Sequence, residues 1–152
     1  MKLVLGLGVT GFSIARFLLQ HKIAFKVADS RKTPKLLSQF LSEFPLIETF
    51  LGDWDEFLLE EVDEIFISPG IAQQETIVIW ALEKGINIVS DIELFSRYAQ
   101  APVIGITGSN GKSTVTQLLG NMAKASGKKV AVGGNIGIPA LDCLQDEVEL
   151  YI

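Results

Sequence analysis

Cysteine and histidine are almost absent from this sequence, which contains one residue of each type, Cys143 and His21. A single cysteine excludes a disulfide within the chain and a cysteine-based metal cluster, and it is typical of a protein in a reducing cytoplasm. We therefore interpret Cys143 as a small buried apolar residue. His21 lies in the polar segment Gln20-His21-Lys22, which predicts a surface position at the end of a helix.

Long apolar runs and positive charge are scarce as well. The apolar run from Leu3 to Ile14 is interrupted by glycines and followed by Arg16. No small-residue cleavage site follows it, so it lacks the pattern of a secretion signal. No uninterrupted run reaches the roughly 18 apolar residues that a membrane span requires, and we expect a soluble protein. The net charge of −5 argues against a surface that gathers nucleic acid or anionic lipid, so phosphate binding must depend on local geometry.

What the sequence does contain is a regular alternation of strand and helix patterns. Short apolar segments predict strands at residues 3–5, 24–28, 64–67, 86–89, 103–107, 129–132 and 148–152, whereas helical spacing predicts helices at 12–19, 34–44, 75–84 and 113–125. A further helix is expected to begin at a cap formed by Ser90 or Asp91 and to continue to Tyr98. This alternation predicts an α/β fold with parallel sheets that are covered by helices.

The order of elements predicts two domains. A Rossmann-like parallel-sheet domain is expected over residues 1–95. The start of a P-loop type α/β domain is expected over residues 96–152, because a second phosphate-type turn opens a new strand-loop-helix unit there. About 55 residues are too few for a self-sufficient domain that binds a nucleotide triphosphate. We therefore expect the second domain to be incomplete and the chain to be a fragment of a longer protein.

The first motif is the segment GLGVTG of residues 6–11, which follows a predicted strand and precedes a predicted helix. In this pattern Gly6 permits a tight turn, Gly8 lets the backbone approach a diphosphate, and Gly11 allows close helix–strand packing. Asp29 ends the second predicted strand, where an acid commonly accepts hydrogen bonds from ribose hydroxyls. The motif predicts a nucleotide diphosphate, but it does not distinguish a nicotinamide or flavin dinucleotide from a uridine-diphosphate sugar. Glycines that serve packing alone are the remaining alternative.

The second motif is the segment TGSNGKST of residues 107–114. A strict Walker A sequence would have glycine at position 106, where this sequence has isoleucine. The features that bind phosphate are nevertheless present in a shorter loop, because Gly108 and Gly111 allow the backbone to wrap around phosphates. Lys112 offers a cation to the β and γ groups, and Ser113 is placed to bind Mg²⁺. The alternative is a solvated polar turn that happens to contain a lysine.

Two phosphate-binding turns imply two nucleotide ligands, one held by a diphosphate and one by a triphosphate. A simple dehydrogenase needs only the first turn, and a simple ATPase needs only the second. A ligase that activates a carboxylate with ATP, on a substrate carried by a nucleotide, needs both. An NAD(P)-binding dehydrogenase half or a regulatory nucleotide-sensing module is the alternative, but it leaves residues 107–114 without a role. A non-enzymatic scaffold is disfavoured because Lys112 and both glycine turns are intact.

At these residues the sequence resembles the Mur ligase family over essentially all of its 152 residues. Five segments carry the resemblance in order: GLGVTG at 6–11, SPGI at 68–71, DIELF at 91–95, TGSNGKST at 107–114 and GGNIG at 133–137. The glycine motif of the first domain and Asn110 separate the sequence from the branches that add the other residues of the peptide. The resemblance is therefore to the branch that adds D-glutamate to UDP-N-acetylmuramoyl-L-alanine.

The resemblance implies two groups of site residues. Those expected to contact the uridine-diphosphate substrate are Val9, Thr10, Asp29, Arg31, Ser68, Gly70 and Asn135. Those expected to bind ATP are Gly108, Ser109, Asn110, Gly111, Lys112, Ser113 and Thr114. In this pattern Val9 and Thr10 lie at the diphosphate, Asp29 and Arg31 lie near the uracil and ribose, and Asn135 lies on the sugar side.

The resemblance also implies a mechanism, amide formation through an acyl phosphate in peptidoglycan precursor synthesis. The alanyl carboxylate attacks the γ-phosphorus of ATP, and the amine of D-glutamate then attacks the acyl phosphate. Lys112 is the expected catalytic residue because it can stabilise charge on the β- and γ-phosphates, and Ser113 is the expected Mg²⁺ ligand. A metal-binding glutamate, a modified lysine and a third domain that receives D-glutamate are expected beyond Ile152. We therefore expect the chain by itself not to catalyse ligation.

Overall fold

The computed structural model describes residues 1–135 and 137–152, and over these residues the chain divides into two compact units, Met1–Asp91 and Ile92–Ile152. The expected domain boundary near residue 95 and the incompleteness of the second domain stay predictions. Ile136, which belongs to the GGNIG segment, lies outside the described residues.

The first unit, every residue of which is described, contains a sheet of five parallel strands. These strands are β1 (Lys2–Leu5), β2 (Phe25–Asp29), β3 (Thr49–Leu51), β4 (Glu64–Ile67) and β5 (Asn87–Ser90). Their order is β3-β2-β1-β4-β5, which is the strand order of a Rossmann-like fold. In the central strand, Val4 lies opposite Val27 on one side and Phe66 on the other. The predicted α/β fold with a Rossmann-like parallel sheet is confirmed.

Both faces of this sheet are covered, as a parallel sheet requires. The helices of the unit are α1 (Val9–Gln20), α2 (Leu37–Glu43) and α3 (Thr76–Glu83), with a 3₁₀ helix at Glu56–Leu59. On one face, Leu3 and Leu5 of β1 share a core with Leu59 and with Ile77 of α3. Elsewhere in the unit, the ring of Phe12 in α1 packs edge-on against Phe40 of α2, with 5.5 Å between ring centroids.

The amino terminus of α1 is packed unusually close to the end of β1. The helix begins at Val9, earlier than the predicted residue 12, because Gly8 is an extended amino-terminal cap whose carbonyl accepts a hydrogen bond from Phe12 at 2.9 Å. In the first turn of the helix, a Cβ atom added to Gly11 would lie 1.8 Å from the carbonyl oxygen of Gly6. Glycine at position 11 therefore allows the helix to start directly above the strand end, where the candidate site lies.

Other sequence-based boundaries differ in ways that the local structure explains. Helix α2 begins at Leu37 rather than at the predicted Pro34, because Pro34 lies in a turn whose carbonyl accepts from the Leu37 N–H at 3.0 Å. Strand β3 was not predicted, since three residues at a sheet edge are too few to show a clear periodicity. The two single-residue interpretations are confirmed: Cys143 is buried, and His21 is exposed at the carboxyl-terminal cap of α1.

The described residues of the second unit include α5 (Lys112–Ala125) and two short parallel strands, β6 (Val130–Ala131) and β7 (Leu150–Tyr151). Helix α4 (Asp91–Tyr98) begins at the last residue of the first unit, and a 3₁₀ helix spans Ala140–Cys143.

The predicted strand at residues 103–107 is wrong, because only Val103 pairs, through one bridge to Tyr151. Among the described residues, no ladder partner lies beside residues 104–107. The segment therefore lacks the neighbour that a continuous ladder requires.

None of the helices in the described part of the chain is long and apolar enough to cross a membrane.

We expect Gly11→Ala to destabilise the first unit by about 3 kcal/mol, because the new methyl group must displace backbone rather than a mobile side chain. Trp54 and Trp80 are the only tryptophans of the sequence and both lie in this unit, so urea titration followed by tryptophan fluorescence measures its unfolding. Gly70→Ala is the matched control, because a Cβ atom there meets nothing within 4 Å. Equal midpoints for the two variants would contradict the prediction.

Candidate functional site

The carboxyl ends of three neighbouring strands bring six of the predicted substrate residues to one edge of the first sheet. Val9 and Thr10 follow β1, Asp29 and Arg31 end and follow β2, and the pair Ser68 and Gly70 follows β4. Because β2 and β4 lie on either side of β1 and run parallel to it, their carboxyl ends meet at that edge. Ligands of open α/β sheets bind at this edge, outside the carboxyl ends of the strands.

The turn after β1 is shaped by Gly6, which has a φ of +95°, in the region that favours glycine. The chain then passes through Leu7 to Gly8, which is extended and caps α1. Within the described residues, the backbone N–H groups of 8–11 donate no hydrogen bond, so the first turn of α1 presents unpaired donors at the positive end of its dipole. This arrangement fits an anionic group such as a diphosphate.

Asp29 is bonded on both carboxylate oxygens. Oδ2 accepts from the Leu7 N–H at 2.7 Å and from Nη2 of Arg31 at 2.6 Å. Oδ1 accepts from the N–H and the Nε of Arg31, at 2.9 and 2.8 Å. Asp29 is buried, whereas the side chain of Arg31 is 57% exposed.

The pKa of Asp29 lies below its usual value. Burial alone raises that pKa, but the hydrogen bonds from the Arg31 side chain and from the Leu7 and Arg31 N–H groups, with the charge of Arg31, outweigh it. The carboxylate is therefore ionised over the neutral range. Asp29 links the turn after β1 to the guanidinium that stands at its rim.

Ser68 lies behind the same turn. Its hydroxyl donates to the carbonyl oxygen of Gly6 at 3.2 Å, and the residue is only 8% exposed. Gly70 is exposed, in a turn closed by the hydrogen bond from Ile71 N–H to the Ser68 carbonyl at 3.0 Å. Sequence reasoning placed Asp29 and Ser68 at this site but missed their partners Leu7 and Gly6, although a buried aspartate at a strand end signals that nearby donors must satisfy it.

The second predicted site is the loop between residue 107 and α5. Gly111 has a φ of +77° and is the amino-terminal cap of the helix, and Gly108 has a φ of +146°. In the part of the chain that the structure describes, none of the backbone N–H groups of residues 108–114 donates a hydrogen bond. The ammonium of Lys112 crosses the loop and donates to the carbonyl of Gly108 and, at 3.4 Å, to that of Ser109. The loop therefore offers free amides beside a lysine ammonium.

This loop fits the polyphosphate and metal that the sequence implies. Ser113 is exposed in the first turn of α5, where a hydroxyl can reach a cation that the phosphates also contact. Across residues 1–135 and 137–152, no group of three or more His, Cys, Asp or Glu side chains could hold a metal ion.

Asn135 lies in the second unit, on a loop after β6, and is exposed. The loop is packed tightly from behind, because a Cβ atom on Gly133 would lie 2.4 Å from Sγ of Cys143 and 2.5 Å from the carbonyl oxygen of Ile138. Burial raises the pKa of the Cys143 thiol, and the charge of Asp142 adds to this, so Cys143 acts as packing. Sequence reasoning found Asn135 but gave no indication of this support.

A surface cavity of about 340 Å³ lies beside the edge strand β3. It is lined by residues 49–55, Phe57 and Leu58 and by none of the predicted site residues. The candidate sites are instead open turns, which suit phosphates better than an apolar body.

The chain is similar to known proteins in family, in sequence and in structure. Residues 1–90 match the model of the family described as Mur ligase MurD-like, N-terminal domain. The chain is 50% identical over 151 residues to a UDP-N-acetylmuramoylalanine--D-glutamate ligase of Pseudomonas syringae pv. syringae, and 49% identical over 150 residues to the enzyme so named in Nitrosococcus oceani. These alignments cover 99% and 98% of the chain but only 34% and 33% of the relatives. The chain thus spans about a third of the length of the curated relatives it matches.

Solved structures agree on the fold. A pseudomurein peptide ligase type C of Methanothermus fervidus superposes with a TM-score of 0.56 at 28% identity, over 99% of this chain and 32% of that one. A UDP-N-acetylmuramate:L-alanyl-gamma-D-glutamyl-meso-diaminopimelate ligase of Neisseria meningitides superposes with a TM-score of 0.52 at 17% identity, over 99% of this chain and 50% of that one. The second likeness concerns the fold alone.

The lowered pKa of Asp29 makes the stability of the first unit depend on pH in a defined direction. Its stabilising contribution is fully present above the pKa of an unfolded aspartate, about 3.9, and is lost as pH falls through the lower folded pKa. The free energy of unfolding of the wild-type chain should therefore exceed that of Asp29→Asn by a constant amount above about pH 5, and the difference should shrink below about pH 4. Urea titrations followed by tryptophan fluorescence at each pH measure it. A difference that grows as the pH falls would contradict the assignment.

Proposed function

Because the chain belongs to the Mur ligase family, with a MurD-like amino-terminal domain over residues 1–90, we propose that it forms the substrate-binding domain and the phosphate loop of an ATP-dependent ligase. The reaction proposed for the whole protein is amide formation between UDP-N-acetylmuramoyl-L-alanine and D-glutamate, in the synthesis of peptidoglycan precursors. The names of the curated relatives, at 44–50% identity, support this choice of substrates. We also propose a cytoplasmic location, because the proposed reaction consumes ATP and ATP is supplied in the cytoplasm.

The observation that carries the proposal is the loop of residues 108–114, whose N–H groups are unpaired within the described chain and lie beside Lys112. Such a loop suits the β- and γ-phosphates of ATP. A carrier of diphosphate substrates alone has no use for it. Together with the free amides at the start of α1, it supplies the two anion sites that a carboxylate-activating ligase requires.

We assign the roles within the ATP site from this geometry. The loop residues Gly108, Ser109, Asn110 and Gly111 would surround the phosphates, and Lys112 would leave its two carbonyl partners to neutralise charge that develops as the γ-phosphoryl group is transferred. The exposed residues Ser113 and Thr114 would hold Mg²⁺ and a phosphate oxygen in the first turn of α5. The alanyl carboxylate would attack the γ-phosphorus of ATP, and ADP would leave. The amine of D-glutamate would then attack the carbonyl carbon of the acyl phosphate, so that phosphate leaves, a proton is lost and the amide forms.

On the substrate side, we propose roles for the residues at the carboxyl ends of the strands of the first sheet and for Asn135. Val9 and Thr10 would contribute amides to the diphosphate, and Arg31 would contact the uracil and ribose end with Asp29 beside it. Ser68 and Gly70 would border the same ligand, and Asn135 of the second unit would contact the sugar side. The D-glutamate site and a further metal ligand would come from residues outside this chain, so the chain by itself is proposed not to form the amide bond.

The rival function, a nicotinamide-dinucleotide domain, has less support from the site. Such domains use the acid at the end of the second strand to accept hydrogen bonds from ribose hydroxyls. Here that acid, Asp29, already accepts four hydrogen bonds from Leu7 and Arg31. The rival function also gives no role to Lys112.

We expect UDP-N-acetylmuramoyl-L-alanine to change the intrinsic tryptophan fluorescence or the melting temperature of the chain in a saturable way. NADH should do neither. Both tryptophans lie in the unit that carries the proposed site, and a bound ligand raises the melting temperature by mass action. Saturable NADH binding with no response to the uridine-diphosphate sugar would favour the rival function.

We expect Lys112→Ala to weaken Mg-ATP binding by the chain about tenfold or more, because a charge-assisted contact to phosphate is lost. Isothermal titration calorimetry measures the change. Lys124→Ala is the matched control, since Lys124 is an exposed lysine in the last turn of the same helix. Equal affinities in the two variants would remove Lys112 from the proposed site.

A further inference from the structure

The turn after β1 is held from both sides by the strands that flank it. From β2, the Asp29 carboxylate accepts from the Leu7 N–H at 2.7 Å. From the end of β4, the Ser68 hydroxyl donates to the Gly6 carbonyl at 3.2 Å. Asp29 accepts from the N–H of Leu7, and Ser68 donates to the carbonyl oxygen of the preceding residue, Gly6. The two contacts fix the orientation of the peptide group between Gly6 and Leu7, which lies just before the free N–H groups at the start of α1.

Asp29 has no acceptor position left for a ligand. A carboxylate offers about four lone-pair sites, and the Asp29 carboxylate accepts one hydrogen bond from Leu7 and three from Arg31. The residue is only 3% exposed, so a ribose hydroxyl would have to displace one of these donors from a buried position. Displacement would leave the Leu7 N–H or the guanidinium without its partner, which costs more than a new hydroxyl contact returns.

Ser68 is similarly committed. A serine hydroxyl has one hydrogen to donate, and in this structure it goes to Gly6. A Cβ atom on Gly6 would lie 3.0 Å from both Cβ and Oγ of Ser68, so Ser68 is in close contact with the rear of the turn. The hydroxyl therefore supports the turn from behind.

We propose that Asp29 and Ser68 are positioning residues that hold the turn of residues 6–8 in the conformation that binds a diphosphate, and that Asp29 makes no contact with the ribose hydroxyls of the nucleotide. The inference rests on the proposed function, and it changes the role of two residues within that site. Recognition then falls to the free amides of α1 and to Arg31. Of the five guanidinium and Nε N–H donors of an arginine, two bond Asp29, which leaves three for a ligand.

The proposal has a consequence for ligand selection. A site in which Asp29 contacts the ribose discriminates between a ribonucleotide and its deoxy analogue through that carboxylate. A site in which Asp29 only positions the turn loses affinity for both ligands by the same factor when the carboxylate is replaced. The site would then recognise a nucleoside diphosphate through its phosphates and through groups within reach of Arg31.

The test compares UDP with 2′,3′-dideoxy-UDP, by calorimetric titration of the wild-type chain and of Asp29→Asn. We expect Asp29→Asn to weaken both ligands about tenfold, and by equal factors, because asparagine carries no charge and has one acceptor oxygen where Asp29 uses two, so at least two of the four hydrogen bonds are lost. Asp63→Asn should leave both affinities unchanged. Asp63 is the matched control because its carboxylate is also ion-paired, to Lys2, but precedes β4 at the opposite edge of the same sheet.

A loss of UDP affinity in Asp29→Asn with no loss for the dideoxy analogue would overturn the proposal while leaving the proposed function in place. Failure of the wild-type chain to bind either ligand would overturn the proposed function, and this inference with it.

A second variant and a spectroscopic measurement keep the test independent of the folding of Asp29→Asn. Ser68→Ala releases the turn from the other side and should also weaken both ligands by equal factors. In ¹⁵N-correlated NMR spectra of either variant, the amide resonances of Leu7 and Gly8 should move while those of Val4 and Val89, in β1 and β5, stay in place. Unchanged Leu7 and Gly8 resonances, or a shift of the whole sheet, would show that the two side chains do not act through the turn.

Discussion

The dominant constraint in this chain is that a helix beginning after a glycine-rich turn leaves its first backbone N–H groups without partners. In both units the sequence places glycine at this junction, so that no side chain blocks those groups. Gly8 caps α1 in an extended conformation, and Gly111 caps α5 with a positive φ. Burying such donors without a partner would be costly, and Gly8, Val9 and Thr10 at the start of α1 are at least partly exposed, so an anion can reach their N–H groups. The rest of the architecture serves to keep these two junctions in place.

In the first unit, the buried central strand of the sheet holds the turn before α1 in place. Leu3, Val4 and Leu5 of the central strand are fully buried, and the strand is paired on both sides, so its carboxyl end is a fixed point from which the turn departs. The charged side chain of Asp29 at that edge accepts hydrogen bonds from the backbone N–H groups of Leu7 and Arg31. An aspartate and a serine from the flanking strands complete the hydrogen bonding of the turn, which explains how an acidic chain can present a local site for an anion.

Much of this could be predicted from the sequence, because strongly apolar strands and glycine-rich turns are local signals. Strand β4 was predicted with the bounds that the structure has, and both glycine motifs lie at the start of a helix, α1 or α5. The unpredicted β3 and the wrong strand at residues 103–107 have a different origin, since the pairing of a strand depends on neighbours that are distant in sequence. Asp29 shows the same limit on the scale of one side chain. Its position at the end of β2 was visible in the sequence, but its partners depend on how the turn after β1 is folded.

The lysine of the second loop has a further consequence. Lys112 is half-buried, and its ammonium is coordinated by carbonyl oxygens of its own loop, so part of its hydration shell has been removed before any nucleotide arrives. Phosphate oxygens would then replace carbonyl oxygens, rather than water, as hydrogen-bond partners of the ammonium. Part of the free-energy cost of dehydrating the ammonium would therefore arise when the chain folds and not when the nucleotide binds. Released carbonyls would in turn take up water as the cation leaves them. Under the proposed function, polyphosphate would therefore compete with the backbone carbonyls of the loop for the ammonium group of Lys112.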